Sequence, residues 1–428
     1  MFAWNGHALR PVVEADWFSF VMNDKHRYNI LHLLPDLSMG GGQQVVLNTV
    51  RHTNRQRFAH HVGYFLQASD MAEQFTREGA KPWHFAHRGW TSAPEILSRL
   101  RRFVRREHID LVHIQGTRVD KFYGETTGLL CRIPVVRTLH GQKPNGHRWR
   151  ELLRHPRPRY AWRLTVNVLA GLCDSMAEPL TVRHFVAVSP AVQGSWQDHL
   201  RRRGIDAARV TVNSNAVSLK EYTCVDEREV SHIRRELELE DSYPVLVNIG
   251  RLAWSKNQAA LVSMMPRIIQ DWPRAKLLIA GEGDRRAHLE TMIRTSGLGA
   301  FVRLLGQRRD IPALLTSSDL LVLSSTEEGL PLVLLEAMAA GKPVVCFDLP
   351  GLDRIVKDGS TGSLVVCRDS AALAEAVLTV AADERALYDM GRNARRVIEV
   401  GYSIDAWARR LEQVYVSVLE GSNGGPHR

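Results

Sequence analysis

The chain has 428 residues, 44% hydrophobic and 24% charged, an ordinary globular composition with length for two or three domains. Its five cysteines (Cys131, Cys173, Cys224, Cys346 and Cys367) are scattered and never paired as CxxC, which excludes a disulfide framework or a zinc site and fits the reducing cytoplasm. No stretch offers about 18 uncharged apolar residues, so no spanning helix is expected, and the acid- and proline-broken N-terminus does not read as a signal peptide.

The net charge of +10 is uneven: residues 1–220 hold 31 Lys and Arg against 17 Asp and Glu, and residues 221–428 hold 25 against 29. The first half is therefore expected to meet something anionic. In chain order, residues 1–28 read as an extension. Apolar runs at 29–35, 60–66, 110–116, 134–140, 185–189 and 209–217 predict strands, alternating with amphipathic segments such as 42–53, 71–79 and 94–107. Between Arg137 and Arg163 lies the densest basic stretch, eight Lys or Arg against Glu151, with Trp149, Tyr160 and Trp162 interleaved. Either it is a solvated loop, or it meets an anionic membrane surface; nucleic acid is ranked below both because no recognition motif accompanies the charge.

Residues 221–242 read as a polar linker with an exposed helix. The alternation then restarts, with strands at 244–250, 276–283, 302–306, 320–325, 343–348 and 362–366 and helices at 256–270, 284–296, 331–341 and 370–379. A terminal helix fits 402–420, and 421–428 looks frayed. The expected fold is α/β: two Rossmann-like doubly wound parallel-sheet lobes, 29–220 and 243–400, with the ligand site in the cleft between them.

Within "STEEGLPLVLLEAMAAGKPVV" (325–345), Glu328 and Glu336 flank a predicted helix start with Pro331 at its first position. Backbone N–H groups at Gly329, Leu330 and the helix start suit an anion, and Gly329 permits close backbone approach. Carboxylates repel phosphate, so the two glutamates suit sugar or ribose hydroxyls. The alternative is a helix cap and an internal ion pair. Arg251, directly after a strand, and Lys256, five residues on, suit a diphosphate. In the first half, Gly40, Gly41 and Gly42 follow the first strand, forming either a loop over phosphate or sugar or a flexible turn. His140 stands at a strand end beside Gly141 as a candidate polar contact.

These segments, with "GGGQQVVLN", "VVRTLHG", "VAVS", "NSNAV", "GRLAWSKNQ", "IAGEGDRRAHLE" and the Glu-x7-Glu spacing of Glu328 and Glu336, resemble the retaining glycosyltransferases of GT-B fold, more narrowly glycosyltransferase family 4, over about residues 29–420. The resemblance implies a nucleoside diphosphate sugar as co-substrate, held mainly by the second lobe, with no metal and no cofactor. Glu336 would bind the nucleotide ribose and Glu328 the transferred sugar, while Arg251 and Lys256 neutralise the diphosphate. His140 and the Gly41–Gly42 loop would approach from the other lobe, and Arg308 would neighbour the base. The terminal helix is expected to cross back to the first lobe. Gln43, Ala216, Ser218 and Arg354 depart from the family pattern.

The expected reaction moves a sugar to an acceptor hydroxyl with retention, by front-face displacement in which the leaving phosphate takes the acceptor proton. A lipid-linked or glycan acceptor and a cytoplasmic site at the inner membrane face fit the basic first half. Rival readings are a dinucleotide oxidoreductase, whose GxGxxG is incomplete in "GEGDRR" (281–286), a sugar-nucleotide epimerase of the same fold, and a non-catalytic scaffold.

Overall fold

The computed structural model describes residues 26–67, 70–116, 119–143 and 178–423. The extension up to residue 25, the basic stretch from residue 144 onward and the tail from 424 lie outside the described residues. The first lobe holds strands β1 (Tyr28–Leu34), β2 (Phe58–Tyr64), β3 (Pro82–His84), β4 (Leu111–Ile114), β5 (Val135–Leu139), β6 (Val182–Ala187) and β7 (Val210–Val212). Helices α1 (Gly41–His52), α2 (Ala93–Arg106), α3 (Val119–Cys131) and α4 (Pro190–Arg202) wind around them. Two short helices, α5 (Leu219–Thr223) and α6 (Glu227–Glu236), lie in the linker segment between the strands of the two sheets.

The second lobe holds β8 (Val245–Ile249), β9 (Lys276–Ala280), β10 (Val302–Gly306), β11 (Leu320–Leu323), β12 (Val344–Phe347) and β13 (Gly362–Val365). Its helices include α7 (Gln258–Asp271), α8 (Leu332–Ala339) and α9 (Glu384–Gly401), and α10 (Ile404–Asn423) ends the described chain. Every strand pair is parallel, in the orders β3-β2-β1-β4-β5-β6-β7 and β10-β9-β8-β11-β12-β13. Each sheet therefore reverses its winding direction once, between β1 and β4 and between β8 and β11, and the crevices at those points are where such sheets bind ligands.

Leu and Val runs such as β11 and β12 are buried along their whole length, because crossover helices cover both faces of a parallel sheet. Helix α8 is apolar nearly all round and buries Leu332, Leu334, Leu335, Ala337, Met338 and Ala339. Each of the leucines and Met338 contributes about 1.5–3 kcal/mol on burial. The helix starts one residue later than expected: Pro331 is its cap, in extended conformation, and not its first residue.

Helix α10 returns to the first lobe, as expected. The Tyr415 hydroxyl lies 2.7 Å from His113 Nδ1 on β4, Asn213 Nδ2 donates to the Trp407 carbonyl at 3.1 Å, and Arg410 Nε donates to Asn213 Oδ1 at 2.9 Å. Behind His113, the imidazoles of His32 and His60 stand side by side on β1 and β2, 3.0 Å apart between Nε2 and Nδ1. One apolar cluster thus runs through both lobes and includes the last helix, beside a separate cluster in each lobe.

Candidate functional site

The residues after β8 and β11 face one another across the second lobe's switch point. A single turn, Trp254–Lys256, follows β8, and Thr326 N donates to the Ser255 carbonyl at 2.8 Å, locking that turn to the loop after β11. Lys256 Nζ consequently reaches Glu328 Oε1 and forms an ion pair, with the carboxylate side chain 12% and the ammonium side chain 29% exposed. Arg251 is exposed on the same rim and lines a cleft of about 520 Å³ with Asp284 and Glu327. The "GEG" that suggested a nucleotide motif has a packing role. A Cβ on Gly281 would stand 2.0 Å from the Gly250 carbonyl oxygen, and one on Gly283 2.2 Å from that of Leu252, so both glycines let the β9 loop lie against the β8 loop.

Glu336 lies in the middle of α8, and burial raises its carboxyl to about 7; the hydrogen bond from the Tyr222 hydroxyl opposes that shift and the charge of Glu221 adds to it. Tyr222 belongs to α5 in the linker and is itself buried. The partner that a carboxylate among leucines requires is therefore present in the protein. Nothing in the apolar periodicity of 221–242 marks Tyr222 out.

The first lobe meets this site at one turn. A Cβ on Gly329 would lie 2.1 Å from the His140 carbonyl oxygen, so the close approach that glycine allows here is between the two lobes. Ser189 Oγ donates to the Gly329 carbonyl at 3.0 Å and Asn215 Nδ2 to that of Leu330 at 2.8 Å. Both donors sit in segments with recognisable sequence likeness, "VAVS" and "NSNAV", although the residues alone assigned them no role. His140 lies 2.9 Å from Gln115 Oε1 through Nε2, and burial lowers its pKa to about 4, so the imidazole is neutral at physiological pH.

Gly41 and Gly42 form the first turn of α1. A Cβ on Gly42 would stand 4.0 Å from His140 Nε2, which places that turn beside the histidine, while Gly41 faces open space. Gln43 donates to Asp36 Oδ1 at 2.9 Å and so fixes the glycine loop from behind. Ala216 is buried and outside the left-handed region, so a glycine there is dispensable.

Arg308 is the expected site residue that stands apart. Its guanidinium is held by Glu236 of α6 at 2.7 Å and by Asp310 at 2.9 Å, and these two carboxylates raise its pKa further. They compete with any role beside the base. Among the described residues, no three His, Cys, Asp or Glu side chains converge as metal ligands.

The family model described as Glycosyltransferase Family 4 matches residues 39–221, and that described as Glycosyl transferases group 1 matches residues 229–397. The chain is 27% identical over 209 residues to N-acetyl-alpha-D-glucosaminyl L-malate synthase of Bacillus anthracis, 48% of this chain and 55% of that one, so this match spans about half the relative's length. It is 25% identical over 325 residues, 75% of this chain and 78% of the other, to UDP-Gal:alpha-D-GlcNAc-diphosphoundecaprenol alpha-1,3-galactosyltransferase of Escherichia coli. The crystal structure of Anabaena HepE in complex with UDP-glucose superposes with a TM-score of 0.74 at 21% identity, covering 91% of this chain and 99% of that one. Two parallel-sheet lobes, a crossing-back helix and a Glu-x7-Glu turn after β11 accord with these matches: the chain belongs to the group 1, family 4 glycosyltransferases of GT-B fold.

Proposed function

We propose that the protein transfers a sugar from a nucleoside diphosphate sugar to an acceptor hydroxyl, with retention and without a metal. The observation that carries this reading is the Lys256–Glu328 pair at the β8/β11 switch point, with Arg251 on its rim and neutral His140 next to Gly329. Lys256 and Arg251 supply charge for a diphosphate, and Glu336 accepts hydrogen bonds from ribose hydroxyls. The acceptor oxygen forms its bond to the anomeric carbon on the face from which the diphosphate leaves; its proton passes to the departing phosphate oxygen. His140 and the Gly41–Gly42 turn approach the sugar from the first lobe. HepE binds UDP-glucose in its solved structure, and the E. coli relative's name describes UDP-galactose as donor, so a uridine nucleotide is the first donor class to test. Isothermal calorimetry with UDP tests the site: Lys256→Ala is expected to weaken binding about 10- to 100-fold. Equal affinity in the variant and the wild type would remove the assignment.

A membrane-bound acceptor fits the first lobe. Leu129 and Leu130 at the end of α3 are each 50% exposed, and Arg101 and Arg105 of α2 lie near enough to the neighbouring Cys131 to act on its thiol. Exposed leucines with two guanidinium groups near the adjoining Cys131 suit an anionic bilayer, where a lipid-linked diphosphate acceptor would reside. Among the described residues no helix is long and apolar enough to cross a membrane. The basic, aromatic stretch from residue 144 to 163 lies outside the described residues.

A further inference from the structure

Trp254 is 72% exposed, yet the turn that carries it is held firmly. Lys256 N donates to the Ala253 carbonyl at 3.0 Å, Thr326 N to Ser255 at 2.8 Å, and Ser324 Oγ to the Lys256 carbonyl at 2.9 Å. The Arg285 guanidinium stacks on the indole, its Cζ 3.5 Å from the ring centroid, and fixes the ring's orientation. An aromatic surface presented on a rigid backbone loses little freedom when something binds to it.

The indole stands between two clefts that share Trp254, Ser255 and Glu327. The inner one, with Arg251 and Asp284, belongs to the donor rim. The outer one, about 550 Å³, runs past Asn257, Ser263, Thr326 and Arg368. Its volume suits a small organic ligand. Its lining mixes an amide, hydroxyls, one carboxylate and one guanidinium beside an aromatic wall. Glu327 disfavours a phosphate, and the polar lining disfavours a lipid chain. A neutral polyhydroxylated ring matches both features: its C–H face packs on the indole and its hydroxyls pair with Asn257, Ser263 and Glu327.

We propose that Trp254 and the outer cleft form an oligosaccharide-binding subsite, which holds the non-reacting part of a glycan acceptor next to the donor rim. The acceptor role rests on the transferase reading; the binding of saccharide does not. The test is binding of the full chain to an array of bacterial oligosaccharides, with UDP calorimetry in parallel, for wild type, Trp254→Ala, Trp254→Phe and Ser263→Trp, the last on an exposed residue that lines the outer cleft and not the inner one. Wild type is expected to bind at least one oligosaccharide, Trp254→Ala to bind it at least about 10-fold more weakly, Trp254→Phe to keep most of the affinity, and Ser263→Trp to lose glycan binding with UDP binding unchanged. The subsite is refuted if wild type binds no array glycan, if Trp254→Ala binds as well as wild type, or if UDP binding falls together with glycan binding in Ser263→Trp. Glycan binding without any UDP binding would instead uphold the subsite and remove uridine as the donor nucleotide.

Discussion

Replacing Glu336 by Gln separates what this residue costs the fold from what it does for the donor. Burial raises its carboxyl to about 7 against an ordinary 4.5, a difference worth about 3 kcal/mol between the protonated and ionised folded protein. The side chain keeps a partial opening to solvent, so this is an upper figure. Because the folded-state value is the higher one, the stabilising contribution of the protonated form is fully present below pH 4.5 and is lost as pH rises through 7. Glutamine mimics the protonated form at every pH. Urea denaturation without nucleotide should therefore show Glu336→Gln matching wild type near pH 4 and exceeding it by up to about 3 kcal/mol at pH 8. In calorimetry, UDP affinity should rise from pH 6 to pH 8 in the wild type, as the carboxylate forms, and stay low and flat in the variant. A stability difference that does not change with pH, or a variant that binds UDP like wild type, refutes the reasoning.

Three further outcomes follow from the same geometry. Gly329→Ala sets a Cβ 2.1 Å from the His140 carbonyl oxygen, a backbone atom that no rotamer change can move, and should destabilise by about 1–3 kcal/mol in thermal melts while abolishing transfer. Burial holds His60 and His113 at about 3, so they stabilise the fold above pH 6.5 and that contribution fades as pH falls toward 3; urea titrations at pH 7 and pH 5 should show a loss on the order of 2 kcal/mol per histidine, reduced in His113→Gln. Vesicle flotation at low salt should recover the protein with anionic but not neutral liposomes, and a Leu129→Asp, Leu130→Asp double variant should lose most of that recovery; equal flotation on both vesicle types removes the membrane reading.

The sheets were legible because a parallel strand buried on both faces must be a short, continuous Val, Ile and Leu run, and every predicted run became a strand. β3 escaped notice: three residues opened by Pro82 at a sheet edge carry no pattern. Helix α3 was equally hidden, since its buried face includes Asp120, Lys121 and Glu125, which read as solvent-facing by type. In the site, Glu328, Glu336, Arg251 and Lys256 could be found because each sits at a fixed offset from a strand end. Tyr222, Asn215 and Ser189 reach the same place from other elements, and only the packing of the lobes reveals them. Arg308 shows the converse limit, since its position after β10 could not reveal that Glu236, from the linker, holds it.

The interlobe bonds make the donor turn a joint property of both lobes. Ser189 and Asn215 of the first lobe hold the carbonyls of Gly329 and Leu330, the two residues between Glu328 and the cap of α8. Any change in the angle between the lobes must stretch these bonds, each worth about 1 kcal/mol, or carry the turn along with it. Glu336 is tied in the same way to Tyr222 of the linker. Glu328 is thus fastened within two residues to the first lobe, and Glu336 to α5 of the linker, which itself packs against α8. The position of the turn after β11 is therefore coupled to the angle between the lobes, and the proposed transfer, which needs two substrates aligned by closure, would act through these bonds.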